Sequence, residues 1–179
     1  MRGISEKNII TAHDDDTVPQ LLLISSFPPR ECGIATYSED LVTALNNTIG
    51  NGYSINICPL ESDNEKHIYD VGIEYVLNTD EPGSFCKLAG LINNNRRINL
   101  VMIQHEFGFF EKTTDEFLLF LKAIHKSVHI TIHTVLPNPN DALRAHVKAI
   151  SEEVSAIVVM TNTSAEILIN DYEIAVEKI

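Results

Sequence analysis

The sequence predicts an α/β domain: a Rossmann-like, mostly parallel sheet with helices on both faces. Three observations carry that prediction. Short continuous aliphatic runs such as Gln20-Leu-Leu-Leu-Ile24 recur along the chain, as expected of strands buried on both faces. Longer segments lie between them, with apolar residues at helical spacing. The two kinds of segment alternate, which implies βαβ units, right-handed crossovers and parallel strands.

Residues 1–18 are polar and aperiodic and are expected to form a loose tail. Within it, Asp14, Asp15 and Asp16 read as a solvated acidic run, because no supporting metal ligands accompany them. The folded domain is expected over residues 19–179. Its first strand, Leu21–Ser25, runs into the loop Ser26-Phe-Pro-Pro-Arg-Glu-Cys-Gly33, longer than a strand-to-helix turn requires. A helix is expected over Tyr37–Asn47, where Tyr37, Leu41, Ala44 and Leu45 share one face. Thr36-x-x-Glu39 has the spacing of a capping box for that helix, and Asn51-Gly52 supplies the turn after it. Tyr53–Pro59 reads as the second strand and Ile73–Leu77 as a weaker one. The alternation continues with a helix at Ser84–Asn94, a strand at Leu100–Gln104 and a helix at Thr114–Lys126. It closes with a strand at His129–His133, a helix at Asp141–Glu152, a strand at Ala156–Met160 and a helix at Ser164–Asp171. Thr163-x-x-Glu166 has the capping-box spacing for this last helix. No internal repeat or low-complexity segment competes with this pattern.

The chain of 179 residues, 44% of them hydrophobic, is long enough to bury a core and too apolar to be disordered. Its 25 acidic residues against 13 Lys and Arg give a net charge of −12. That balance argues against nucleic acid and against an anionic membrane surface, since both would repel it. Cys32, Cys58 and Cys86 are odd in number and widely spaced, which supports neither a disulfide framework nor a zinc knuckle. The first residues lack the apolar core of a signal peptide, and no apolar run is long enough to span a bilayer. A cytoplasmic location is therefore expected, with the sequons at Asn46 and Asn162 unmodified.

In an open parallel sheet, ligands bind beyond the carboxyl ends of the strands. The first strand delivers Ser25, Ser26 and the loop to Gly33 at that edge. LVMIQHEFGFF delivers His105 and Glu106, VHITIHTVLPNPN delivers His133 and Thr134, and SAIVVMTNTS delivers Thr161 and Asn162. Each has two readings. Gly33 either permits a tight turn or lets a ligand approach backbone N–H groups at the positive end of the first helix. Arg30 is either a surface charge or a donor aimed at a carboxylate or phosphate. His105 beside Glu106 is either a structural histidine or a group for hydrogen bonding and proton transfer, and His133 divides the same way. Cys32 has no evident activating base and reads as a packing residue. His125 and His129 read as structural. The spacing of His105, Glu106 and His133 does not favour zinc, GxGxxG is absent, and so is GxSxG.

In this order, FPPRECGIA, LVMIQHEFG, TIHTVLP and IVVMTNTSAEILIND resemble the amino-terminal domain of family 4 retaining glycosyltransferases of the GT-B fold, from Gln20 to Ile179. The resemblance implies a Rossmann-like acceptor-binding half facing a second, donor-binding domain. That second domain is absent from this chain, and the 179-residue chain is expected to be inactive alone. The substrates implied are a nucleotide sugar and a saccharide or other hydroxyl acceptor, with no metal or other cofactor. The loop Cys32-Gly33-Ile34 would approach the donor phosphate or sugar. His105 would be the catalytic contact to the transferred sugar, with His133 and Thr134 helping to line the cleft, and the reading of the residues themselves adds Arg30 and Glu106 as substrate- or acceptor-binding candidates. Two departures stand out: the first loop keeps only Gly33 where many members carry two adjacent glycines, and Phe109-Phe110-Glu111-Lys112 replaces further glycines after His105. A non-catalytic sugar- or nucleotide-binding module is the alternative. A reductase-type Rossmann protein is disfavoured by the missing dinucleotide fingerprint.

Overall fold

A computed structural model describes residues 18–69 and 72–179. The expected tail, including Asp14 to Asp16, lies almost wholly outside the described residues. Six strands form one sheet: β1 (Gln20–Ser25), β2 (Ser54–Glu61), β3 (Leu77–Asn78), β4 (Ile98–His105), β5 (Ser127–Ile132) and β6 (Ala156–Val159). All pair in parallel, in the order β3-β2-β1-β4-β5-β6. The helices are α1 (Gly33–Ile49), α2 (Ser84–Asn94), α3 (Phe107–Phe110), α4 (Thr114–Ala123), α5 (Asp141–Glu153) and α6 (Asn162–Asp171). The Rossmann-like α/β architecture is as expected, and within the sheet it is wholly parallel.

Strand alternation sorts the core into two layers. On one face, Leu21, Leu23 and Ile57 pack with Phe27 and with Val42 of α1. On the other, Leu22, Ile24, Val101 and Ile103 join Phe85 and Leu88 of α2, Phe117 and Phe120 of α4, and Val147 and Ile150 of α5. This face carries most of the buried apolar surface, the dominant favourable contribution to folding.

Four expectations need correction. The weak strand expected at Ile73–Leu77 is instead Leu77–Asn78, because only Leu60 and Glu61 of β2 extend far enough to pair with it. Helix α1 begins at Gly33, ahead of the expected Tyr37, because Cys32 caps it: its Sγ accepts from the Ala35 N–H at 3.3 Å. Thr36 therefore sits inside the first turn, and its hydroxyl donates to the Cys32 carbonyl. Helix α6 likewise starts two residues before Ser164, with Thr161 in place of Thr163 accepting from the Ser164 N–H at 3.0 Å. Helix α4 stops at Ala123 rather than Lys126. There Asn93 of α2 donates to the Ala123 carbonyl and accepts from the His125 N–H, both at 2.8 Å.

Candidate functional site

Strand order reverses between β1 and β4, since β1 leads to β2 on one side and β4 to β5 on the other. The crevice beyond their carboxyl ends is where such sheets bind ligands. Ser25 ends β1 fully buried, and its hydroxyl meets that of Ser38 at 2.6 Å, tying the strand end to α1. Ser26 Oγ lies 3.2 Å from Cys32 Sγ. Cys32 thus acts through its sulfur as a helix cap and loop tie, a role beyond the packing expected of it.

The first turn of α1 contains no acidic residue, so the positive end of its macrodipole is unneutralised. Cys32 satisfies Ala35 through its sulfur and Thr36 through its carbonyl. The Gly33 and Ile34 N–H groups have no acceptor among the described residues. Gly33 is exposed, its φ lies outside the left-handed region, and a Cβ there would meet no heavy atom within 4 Å. Neither backbone strain nor packing demands glycine at this position. The position a side chain on residue 33 would take, beside these two N–H groups, is open.

The neighbouring wall comes from β4, β5 and α1. Gln104, the polar end of an apolar run, alternates onto the α1 face and accepts from His133 Nε2 at 2.8 Å. With Nε2 protonated, His133 Nδ1 carries the lone pair. The Tyr37 ring stands edge-on to His133 at 5.2 Å between centroids. Burial lowers the His133 pKa from its ordinary value, partly offset by Glu106, which keeps the ring neutral near physiological pH. Glu106 accepts from the Thr134 hydroxyl at 2.7 Å and from the Phe107 N–H at 3.1 Å, fixing the residues after β4 and β5 together. The structure therefore brings Glu106, His133 and Thr134 into one cluster and adds Tyr37 and Gln104, to which sequence reasoning gave no role in the site. A glutamine closing an aliphatic strand was the available signal.

His105 alternates to the opposite face. It is 1% exposed, stacked on Phe110 at 5.5 Å, edge-on to Phe107 at 5.1 Å and tilted against Phe117 at 5.5 Å. Neither ring nitrogen has a hydrogen-bond partner. Burial, with smaller contributions from His146 and His133, pushes its pKa down to about 3. The ring expected to touch a sugar is shut off from the surface here. Arg30 is also apart from the His133 cluster: it pairs with Glu65 at 3.0 Å and lies over the Phe109 ring, 5.2 Å from its centroid.

Among the described residues, no group of three or more His, Cys, Asp or Glu is placed to hold a metal ion. No helix among them is long and apolar enough to cross a membrane.

No known protein family and no curated protein matches the sequence. Solved structures do match the fold. An alpha-glucosyltransferase in complex with UDP and a 13-mer DNA containing a central A:G mismatch aligns with a TM-score of 0.51 at 14% identity, over 80% of this chain and 37% of that one. Another, in complex with UDP and a 13-mer DNA containing a HMU base, gives 0.49 at 15% identity, over 79% of this chain and 36% of that one. At these identities the likeness is one of fold, and this chain spans little more than a third of either enzyme.

Proposed function

We propose that this chain is the acceptor-side half of a retaining hexosyltransferase, which moves a hexose from a nucleotide sugar to a hydroxyl acceptor. The observation that carries this is the start of α1. Two N–H groups without an acceptor among the described residues stand where the strand order reverses, beside the open Cβ position of Gly33 and with no acidic residue in the first turn. Such a terminus favours phosphate. The fold shared with an enzyme crystallised with UDP agrees with a nucleotide diphosphate as the ligand.

In this reading the α1 terminus holds the leaving diphosphate, and a second, donor-binding domain supplies the remaining contacts. An acceptor hydroxyl attacks the anomeric carbon on the face from which the phosphate departs, and the departing phosphate takes the hydroxyl proton. His133, neutral and oriented by Gln104, accepts a hydrogen bond from a substrate hydroxyl through Nδ1. Helix N–H groups compensate the leaving-group charge, so the proposal needs no metal. His105 is enclosed by Phe107, Phe110 and Phe117, so contact with a sugar would require that packing to open. The earlier expectation that nucleic acid is excluded has no support from a neighbour whose complex contains DNA. A neutral saccharide acceptor rests on the acidic charge alone.

Gly33→Trp tests the reading by calorimetric titration with UDP. A Cβ at position 33 meets no heavy atom within 4 Å, and the bulk of the indole should lower UDP affinity at least ~10-fold. Unchanged affinity would remove α1 as the phosphate site. The burial of His105 favours a second reading, a non-catalytic sugar- or nucleotide-binding module. Binding of a nucleotide sugar by the protein with no turnover would favour that reading over the first.

A further inference from the structure

A polar cavity of about 190 Å³ lies beyond the carboxyl ends of the strands, lined from the loops after β1, β2, β3 and β4 and apart from the residues around His133. Its walls include Arg30 from the loop after β1, Glu65 from the loop after β2, Thr79 and Asp80 after β3, and Phe109 and Lys112 from around α3. Several of these groups are held from behind. The Thr79 N–H donates to the Glu61 carbonyl at 2.9 Å, and the Asp80 N–H donates to Asn78 Oδ1 at 3.0 Å. Asp80 also accepts from the Asp63 N–H at 3.1 Å. Phe109 supports the Arg30 guanidinium.

The charges decide what can enter. Each cation already faces a carboxylate, Arg30 with Glu65 at 3.0 Å and Lys112 with Asp80 at 4.0 Å, and Glu111 adds a third acidic group to the lining. An incoming phosphate or carboxylate would have to displace Glu65 and then sit among three like charges, which opposes its binding. A neutral polyol meets no such conflict. Its hydroxyls accept from Arg30 and Lys112 while donating to Glu65, Asp80 and Glu111, and both partners of each ion pair stay in use. The volume suits one sugar ring and no more.

We infer that this cavity binds a single neutral, polyhydroxylated ring, of the class of an unsubstituted monosaccharide unit. Its role as an acceptor subsite rests on the glycosyl-transfer reading, whereas its role as a binding site does not. The test is a ¹H–¹⁵N titration of the chain with methyl glucoside, methyl galactoside and methyl mannoside, and in parallel with glucose 6-phosphate. At least one glycoside should shift the amides of Thr79, Asp80, Gly108 and Lys112 with millimolar affinity, and the phosphorylated sugar should bind several-fold more weakly. Asp80→Asn and the exposed Glu111→Gln, each checked for a native spectrum, should weaken glycoside binding by ~10-fold or more. No shift with any glycoside, tighter binding of the phosphorylated sugar, or full affinity in both variants would each overturn the inference. If UDP fails to bind at α1, the glycosyl-transfer reading falls and this site stands. If the glycosides fail while UDP binds, the reverse holds.

Discussion

Lowering the pH from 6.5 to about 3 should destabilise this fold by on the order of 4–5 kcal/mol through His105 alone, and His105→Phe should remove most of that loss. His105 is neutral and buried in the native state, with its pKa near 3, whereas the unfolded chain restores the ordinary value of 6.5. Between those values the unfolded state binds the extra proton. Stability is therefore complete above 6.5 and falls as pH drops through the window, at about 1.4 kcal/mol per pH unit. His133 and His146 are also held below their ordinary values by burial, so they add to the slope in the same direction. A phenyl ring suits the pocket of Phe107, Phe110 and Phe117 and has no nitrogens to leave unpaired. At neutral pH the variant should lie within about 1.5 kcal/mol of wild type. Urea unfolding across the pH series measures both proteins. A flat wild-type profile, or an equal slope in His105→Phe, would contradict the burial of a neutral His105.

Phe117→Ala should cost about 3–5 kcal/mol at neutral pH. Phe117 is 1% exposed and stacks on Phe110 at 4.1 Å with an interplanar angle of 16°. It also touches Phe120, at 6.5 Å between centroids, as well as His105. Removing the ring forfeits its transfer energy and leaves a void that the surrounding rings of α3 and α4 only partly close. The same void lies against the imidazole. Water admitted there would hydrate the charged form, so the acid-dependent part of the instability should shrink as the overall stability falls. Urea unfolding gives the first quantity, and an NMR titration of the His105 ring gives the second. A loss below about 1 kcal/mol would show that the aromatic cluster contributes little to the core.

These two residues also show what the sequence made legible. The sheet, its parallel strands and α2 at Ser84–Asn94 followed from aliphatic runs and helical spacing, which are local signals. Caps and sheet edges were harder to read. A cysteine sulfur capping α1 follows no propensity rule, and the two-residue β3 depends on how far β2 extends. The site was legible as a set of residues at one sheet edge and not as an arrangement. Gln104 and His105 are neighbours in sequence, and strand alternation sends one to His133 and the other into the phenylalanine cluster. Counting from Val101 and Ile103, which share the His105 face, would have predicted that split. The pairings of Gln104 with His133 and of Arg30 with Glu65 span long stretches of chain and leave no local pattern.

The function proposed here turns on whether the α1 terminus receives a nucleotide diphosphate. A ¹H–¹⁵N titration of this chain with UDP reads that residue by residue. The expected result is that the largest saturable shifts fall on the amides of Gly33, Ile34 and Ala35, with the His133 and Tyr37 rings moving in parallel. Shifts confined to other parts of the chain, or none at all, would contradict the glycosyl-transfer reading.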